Sequence, residues 1–418
     1  MCTYIWTPVF IYVLINNSHY IRFWSDLMDK KKIKIAIFAF SSVLMASMTA
    51  SAILADISVH FPEVDKSIIQ MVLTIPALLG MIFALVSGPL STKISKKTLV
   101  LSALYCSFIG GSIAFFMGTI SIYILLFSSV LIGIGQGINA TMSMALIADY
   151  FKDDECSSLM GLQSAFVNGG SMVILLLAGI LAGINWNFSY AVYLLYIPVI
   201  FIVVKNLSND PPIHPIEDNH IPKGKLNLSV YFMCFIFFCF STLIYVLPTN
   251  ISLFISNNGL GDATSSGLAN SLMSGVGALT GFGYGYLKRV LKNFVIPSAF
   301  IVGALGMLPL FIIGNLPSVF FATACAGFGL SLMFPSIMFI VSSSVAPSMS
   351  ATAIAMAGAS SSFGMFVSPL IINSLANQFG NGGEIIKFLI AIIGLFALSV
   401  IVLIGTHIIA KDKLRLIE

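Results

Sequence analysis

Apolar runs long enough to cross a lipid bilayer recur along almost the entire chain. A transmembrane helix needs about 20 consecutive, mostly apolar residues. Only 9% of the 418 residues are charged and 58% are hydrophobic, whereas a water-soluble chain carries roughly a quarter charged residues. The sequence therefore excludes a soluble enzyme, a nucleic-acid-binding protein and a disordered chain. It predicts a polytopic membrane protein that lies in a lipid bilayer.

The apolar runs predict an all-α membrane protein of twelve transmembrane helices in two sets of six. The first set lies near residues 33–55, 67–90, 98–118, 120–148, 157–182 and 187–204. The second set lies near residues 228–254, 264–287, 294–314, 318–342, 350–375 and 385–410. The only extended polar segment separates the two sets. These boundaries predict an N-terminal half at 28–204, a linker at 205–227, a C-terminal half at 228–410 and a tail at 411–418.

The distribution of basic residues predicts the orientation of the chain. Lys and Arg remain preferentially on the cytoplasmic side of a membrane. If the first helix begins inside, 18 of the 20 Lys and Arg residues lie in inner segments, and only Lys66 and Lys387 lie outside. We therefore predict a multi-pass protein of the cytoplasmic (plasma) membrane with both termini and the linker in the cytoplasm.

Residues 1–27 form an N-terminal extension ahead of the first predicted helix. Within it, the stretch from Tyr4 to Ile15 is a largely apolar run of 12 residues, but this run is too short to span a bilayer and lacks the cleavage site of a signal peptide. Met28 is followed by Asp-Lys-Lys-Lys, which is typical of a cytoplasmic start. Either the start is assigned too early, or the extension is an interfacial helix anchored by Trp6 and Trp24.

The two halves are related by an internal repeat. A shift of 194 residues aligns them without gaps at three places. Gly133-Ile-Gly135 falls on Gly327-Phe-Gly329, and Ile57-Ser58 falls on Ile251-Ser252. The third match aligns Gly170, Val173, Leu176, Leu181 and Ala182 with Gly364, Val367, Leu370, Leu375 and Ala376. Because each half has six spans, the repeats are parallel, which is typical of transporters whose substrate lies between the halves.

The loop after the second predicted helix carries a family resemblance. It reads Gly88-Pro-Leu-Ser-Thr-Lys-Ile-Ser-Lys-Lys97 and resembles the Gly-x-Leu-x-Asp-Arg-x-Gly-Arg-Lys loop of the major facilitator superfamily (MFS). Thr92, Lys93 and Ser95 depart from that pattern, and Ser129 replaces the arginine of the family's Arg-x-x-x-Gly-x-Gly motif. The chain is nevertheless identified as similar to this superfamily over residues 30–410, with the subfamily left open. The resemblance implies the MFS fold and transport by alternating access.

In this superfamily, the first, second, fourth and fifth helices of each half line a central cavity. We predict the substrate-binding residues from polar stripes on these helices and from their repeat partners: Gln136, Asn139, Asn168, Ser47, Ser51, Ser241, Tyr245, Met333 and Ser362. The alternative for each polar residue is a hydrogen bond between helices. A polar wall from the first half and a more apolar wall from the second favour an uncharged or amphiphilic organic solute.

Charged residues are absent from the middle third of every predicted helix, and the nearest are Asp56 and Asp149. Asp56 is either a proton site or a helix-end carboxylate in contact with solvent. The resemblance implies that Asp149 pairs with the loop that contains Gly88, Lys93, Lys96 and Lys97, and that this pair is a conformational latch. The alternative is that Asp149 lies in a solvated polar turn.

These observations predict a monomeric secondary transporter that moves a small organic solute and is coupled to protons. The six cysteines show no metal-ligand or disulfide spacing, and we expect no metal, no cofactor, no nucleic-acid partner and no enzymatic activity. The altered loop and the missing arginine keep one alternative open. In that alternative, the chain is a degenerate transporter that acts as a membrane sensor or assembly partner.

A chain that begins at Met28 should insert and transport as the full chain does, because residues 1–27 contain no membrane span. Membrane yield and transport of the two chains test this expectation. Loss of folding in the shortened chain would contradict it.

Overall fold

The computed structural model describes residues 30–151, 153–208, 227–345, 347–380 and 382–415. The predicted N-terminal extension and most of the predicted linker lie outside these residues. Within them the chain forms twelve long helices and no strand. The first six are α1 (Lys30–His60), α2 (Lys66–Ser91), α3 (Lys96–Met117), α4 (Ile122–Tyr150), α5 (Asp153–Ala182) and α6 (Trp186–Asn206). The others are α7 (Leu228–Asn257), α8 (Ala263–Leu291), α9 (Val295–Ile312), α10 (Leu316–Ser343), α11 (Pro347–Phe379) and α12 (Glu384–Arg415).

Eleven of these helices are long and apolar enough to cross a membrane. The twelfth, α8, is rich in Gly and Ser, which lowers its hydropathy. We call the end of the bundle where α1 begins and α12 ends the basal end, and the opposite end the distal end. Successive helices run in alternate directions between these two ends, so the all-α architecture predicted from the sequence is present.

Side chains that cap the helices fix where several of them begin. The N-cap residues are Asp65 for α2, Ser95 for α3, Ser121 for α4, Asp262 for α8 and Asn315 for α10, and each accepts a hydrogen bond from a backbone N–H of the first turn. A cap satisfies a donor that the helix itself leaves unpaired. Short polar residues at the ends of apolar runs therefore set the boundaries of these helices.

Two clusters of buried apolar side chains form the core of the bundle. The members of one cluster lie within residues 33–207, together with Tyr245 and Ala263, and those of the other lie within residues 230–402. The first half, α1–α6, therefore packs mainly on itself, as does the second half, α7–α12. Tyr245 and Ala263 belong to the second half but pack against the first, which places them at the contact between the halves.

The sequence repeat is also a repeat of helix packing. A Cβ added to Gly133 on α4 would lie 2.8 Å from Leu79 on α2, and one added to Gly327 on α10 would lie 2.1 Å from Met273 on α8. Leu79 and Met273 are themselves 194 residues apart. Small residues allow helix backbones to approach closely. The same close helix contact in each half therefore explains why both halves have glycine at these positions.

The two halves touch at the distal end and separate towards the basal end. Near the distal end of α5, a Cβ on Gly179 would lie 2.9 Å from the Cα of Gly267 on α8. Towards the basal end of the same two helices, Gly161, Gly281 and Gly285 have no atom within 4 Å of such a Cβ. The space between α5 and α8 therefore opens towards the basal end.

Helix α1 is broken in the middle, although it contains no proline. Residues 43–49 form a turn and a short 3₁₀ segment between two α-helical parts. Ser42 and Ser51 each donate a hydrogen bond to the carbonyl three residues earlier, which competes with the regular helix ladder. The Tyr196 hydroxyl of α6 donates to the Val43 carbonyl at 2.9 Å. The same carbonyl also accepts from the Ala46 N–H at 3.2 Å, so the tyrosine is a second donor to an acceptor at the break.

Replacing Gly267 by Val should lower thermal stability, because the new side chain would collide with the α5 backbone at Gly179. Overpacking of this kind costs about 1–3 kcal/mol. Gly281→Val on the same helix is the matched control, since that position has free space. The unfolding temperatures of both variants in detergent test the packing, and equal losses would contradict it.

Candidate functional site

The break in α1 lies at the centre of the bundle and contacts both halves. The Gln136 amide nitrogen of α4 lies 4.0 Å from the Met45 sulfur, and the Tyr245 hydroxyl of α7 lies 3.4 Å from the Met48 sulfur. All four residues occupy the middle of their helices. Polar groups from both halves therefore meet at the two methionines of the broken segment.

A second contact between the halves involves Asn168 at the middle of α5. Its amide nitrogen donates to the Ser164 carbonyl of its own helix at 3.0 Å. Its amide oxygen faces Gly277 of α8, where an added Cβ would lie 3.9 Å away, and the same Cβ would lie 3.0 Å from the Ser331 hydroxyl of α10. Because Gly277 has no side chain, a gap remains beside the Asn168 amide oxygen and the Ser331 hydroxyl at the contact between the halves.

Two buried amide oxygens on α4 have acceptor capacity that the described residues leave unused. They are Oε1 of Gln136 and Oδ1 of Asn139, less than one helical turn apart. A buried acceptor without a donor costs free energy and calls for an explanation. On the same helix, the Ser143 hydroxyl receives a hydrogen bond from Gln163 of α5 at 3.0 Å. The α4 surface towards α1 and α5 is thus polar and only partly satisfied.

The other predicted binding residues lie close to this centre in different environments. The Ser51 hydroxyl donates to the Met48 carbonyl at 2.7 Å, and the Ser241 and Ser361 hydroxyls of α7 and α11 lie 2.7 Å apart. Ser47 is buried and Ser362 is half-buried, whereas Met333 is fully buried within the apolar cluster of the second half. The structure thus places Gln136, Asn168 and the buried Tyr245 at the middle of the bundle, where the halves meet, and places Ser241 in a contact between two helices of the second half.

Among the described residues, the Asp, Glu, Lys, Arg and His side chains lie near the ends of the helices and not at the centre. Asp56 is half-buried near the distal end of α1, and the carboxylate of Asp262, at the start of α8, repels it. The two carboxylates come from different halves. They form the acidic part of the distal contact between α1 and α8.

At the basal end, Asp149 of α4 forms an ion pair with Lys96 of α3. Both side chains are partly exposed, at 30% and 22%. Lys97 donates to the Val204 carbonyl of α6 at 2.8 Å, while Lys93 and Gly88 are exposed. Since α3, α4 and α6 all belong to the first half, these bonds hold the α2–α3 loop against its own half.

A second basal ion pair joins the first and fifth helices. Lys34 lies 2.7 Å from Glu155, and the hydrogen bond from this lysine lowers the pKa of the exposed Glu155 carboxyl. Lys34 also lies over the ring of Phe151, 5.0 Å from its centroid. The beginnings of α1 and α5 are thereby tied together within the first half.

A buried polar network that the polar stripes of the sequence did not predict lies at the distal end. It contains Lys387 of α12, Asn250 of α7, Gln70 of α2 and Asn373 of α11. Lys387 is 1% exposed, although its position next to a predicted helix end suggested contact with solvent. The sequence does carry a sign of this network, because one amide residue lies inside the distal end of each of three largely apolar runs: Gln70, Asn250 and Asn373.

Comparison with known proteins gives a family and a fold. Residues 35–369 match the family model described as Major Facilitator Superfamily. The chain is also similar to a crystal structure of the peptide transporter POT, a mutant form in complex with sulfate, with a TM-score of 0.71 and 13% identity. That match covers 90% of this chain and 94% of the other, and at this identity it shows the fold alone. No curated protein matches the chain.

The latch hypothesis predicts that replacing Asp149 by Asn changes the ratio of the basal-open to the basal-closed conformation, although the Lys96–Asp149 pair joins two helices of the same half. Partly exposed pairs are worth only about 0–1 kcal/mol, so the protein should stay folded. Accessibility labelling from both sides of the membrane measures the two populations. Lys93→Gln is the control, because that exposed lysine is not the partner of Asp149 in the described residues. Unchanged populations would favour the solvated-turn interpretation.

Proposed function

The chain belongs to the Major Facilitator Superfamily, a family of secondary transporters, and we propose that it moves a small, uncharged or amphiphilic organic solute by alternating access, coupled to the proton gradient. The proposal places the protein in the cytoplasmic membrane with the basal end towards the cytoplasm. The conformation described here is then inward-open, with the distal end closed towards the outside.

The meeting of neutral polar groups from both halves at the middle of the bundle carries this proposal. Gln136 and Asn168 come from the first half and Tyr245 from the second, and the methionines of the α1 break lie between them. A solute bound at this position contacts both halves at once. Its binding therefore depends on how the halves are arranged, which is the requirement for alternating access.

The chemistry of the centre supports a solute without a strong negative charge. The middle of the described helices contains no Lys, Arg or His that would balance an anion. Amide groups and the Tyr245 hydroxyl form hydrogen bonds with neutral polar groups, while the thioethers of Met45 and Met48 are polarizable and adapt to apolar surfaces. A solute with one polar and one apolar side fits this combination.

Proton coupling in this proposal depends on the distal carboxylates. In the part of the chain that the structure describes, the centre has no carboxylate, so the acidic groups nearest to it on the contact between the halves are candidates. Asp56 is half-buried and faces the negative charge of Asp262 across that contact. Two like charges at a helix contact favour binding of a proton by one of them. A proton bound there would change the interaction between α1 and α8.

Uptake into proteoliposomes tests the function. Radiolabelled neutral, amphiphilic, cationic and anionic compounds, with dipeptides included, are compared with and without an imposed pH gradient. We expect uptake of a neutral or amphiphilic member and faster uptake when the gradient is present. Uptake confined to anions would contradict the proposed solute class, and uptake that ignores the gradient would contradict proton coupling. Binding without transport of any compound would favour the sensor alternative.

Replacing Asn168 by Ala should weaken apparent affinity several-fold without loss of stability, because a hydrogen bond to the solute is worth about 0.5–1.5 kcal/mol. Asn206→Ala is the matched control, since its amide nitrogen makes the same bond to a carbonyl four residues earlier, at 2.9 Å, but at the basal end of α6. Asn139→Ala tests the buried acceptor in the same way. Lower thermal stability at unchanged apparent affinity would show that these residues only join helices.

A further inference from the structure

The distal end is closed by a chain of buried amide side chains that crosses between the halves. The Gln70 amide nitrogen donates to Oδ1 of Asn250 at 2.9 Å and to the Thr249 carbonyl at 2.9 Å. Its amide oxygen accepts from Asn373 at 2.6 Å. Gln70 belongs to the first half, and its three partners belong to the second. One side chain of α2 is therefore bonded to both α7 and α11.

A buried charge lies at the end of this chain. The Lys387 ammonium donates to Oδ1 of Asn250 at 3.1 Å, so the same oxygen accepts from Lys387 and from Gln70. Glu384 lies one turn earlier on α12, but its carboxylate accepts from Lys66 and Asn257, each at 3.2 Å. The direct hydrogen-bond partner of the buried ammonium is thus a neutral amide.

An outer ion pair accompanies the inner chain. Lys66 precedes Gln70 by one helical turn on α2 and pairs with Glu384 of the second half. Its side chain is 49% exposed, and ion pairs with such exposure are weak because water and salt screen them. Gln70, Asn250 and Asn373 are almost fully buried, and a buried polar group that loses its partner is expensive. The inner bonds therefore hold the halves together more strongly than the outer pair.

We propose that Gln70, Asn250 and Asn373 form a distal lock, that this lock holds the halves together in the basal-open conformation, and that burial of Lys387 limits its strength. When α2 separates from α7 and α11, the three bonds of Gln70 break and water reaches the freed amides. Opening also gives water access to Lys387. The lock thus favours the closed distal end, whereas the buried charge of Lys387 favours the open one.

The role given to Lys387 follows from the cost of burying an ion. A charged group loses its hydration when the distal end closes, and a single neutral partner compensates only part of that loss. The charged groups near it are Glu384 on its own helix and Lys66 and Asp65 on α2. If Lys387 is removed, Oδ1 of Asn250 keeps its hydrogen bond from Gln70. Closing of the distal end then no longer costs the dehydration of a charge, and the hydrogen bonds of the lock remain.

Backbone hydrogen–deuterium exchange, followed peptide by peptide on the full chain, tests the proposal without a substrate. Gln70→Ala and Asn373→Ala should each raise exchange at the distal ends of α2 and α11 and lower it at the basal ends of α5 and α8. A change of roughly two- to tenfold in the ratio of conformations is expected for each lost hydrogen bond. Simple destabilisation would instead raise exchange at both ends, and that result would overturn the lock.

Lys387→Met should produce the opposite change, with lower distal exchange and higher basal exchange than the unmodified protein. A rise at the distal end would overturn the role assigned to Lys387. Lys66→Gln should change the ratio by less than about fivefold and by less than Gln70→Ala does, since the outer pair is partly exposed. Ser374→Ala, at the exposed neighbour of Asn373, is the control for substitutions in α11. These readouts are independent of transport, so a failure of the lock is distinguishable from a failure of the proposed function.

Discussion

Satisfaction of backbone hydrogen bonds without water is the constraint on which this structure depends. In the hydrocarbon region an N–H or C=O group without a partner costs several kcal/mol, so a spanning segment must pair its own backbone or obtain partners from neighbouring helices. The middle of α1 departs from the regular ladder between residues 43 and 49, and Tyr196 of α6 supplies a donor to Val43. Backbone bonds to the carbonyl three residues earlier, such as Ala46 N–H to Val43 at 3.2 Å, pair much of the break itself, and the packed first half adds the bond from Tyr196.

The distribution of glycines decides where helices approach one another and where they separate. Gly179 and Gly267 bring the backbones of α5 and α8 together near the distal end, whereas the space around Gly281 and Gly285 on α8 is open. One helix thus forms a tight seam at one end and one wall of an opening at the other. Close backbone packing and hydroxyl hydrogen bonds, such as Thr264 to the Gly179 carbonyl at 3.2 Å, hold the α5–α8 seam, while amide hydrogen bonds hold the seam between α2 and α11.

Polar groups are sorted by charge along the bundle axis. Neutral amides and hydroxyls lie at the centre, and ion pairs lie near the ends, where water is close. In the proposed function this arrangement separates two tasks, with the neutral centre selecting the solute and the charges at the ends affecting the balance between conformations. Lys387 also lies near an end, but it is 1% exposed, whereas the neighbouring Lys66 of the outer ion pair is 49% exposed.

The sequence by itself determined the number of helices, their approximate ends and the repeat that relates the halves. These properties are local, because the transfer free energy of about 20 successive residues decides whether a segment spans a bilayer, and capping residues such as Asp65 mark where it begins. Only the tertiary structure decided which polar side chains face the centre and which join helices. Ser241 and Ser361 are 120 residues apart and share a hydrogen bond, whereas Asn168 faces the gap left by Gly277. The same hydroxyl or amide serves either purpose, and the choice depends on which side chain the neighbouring helix places opposite it.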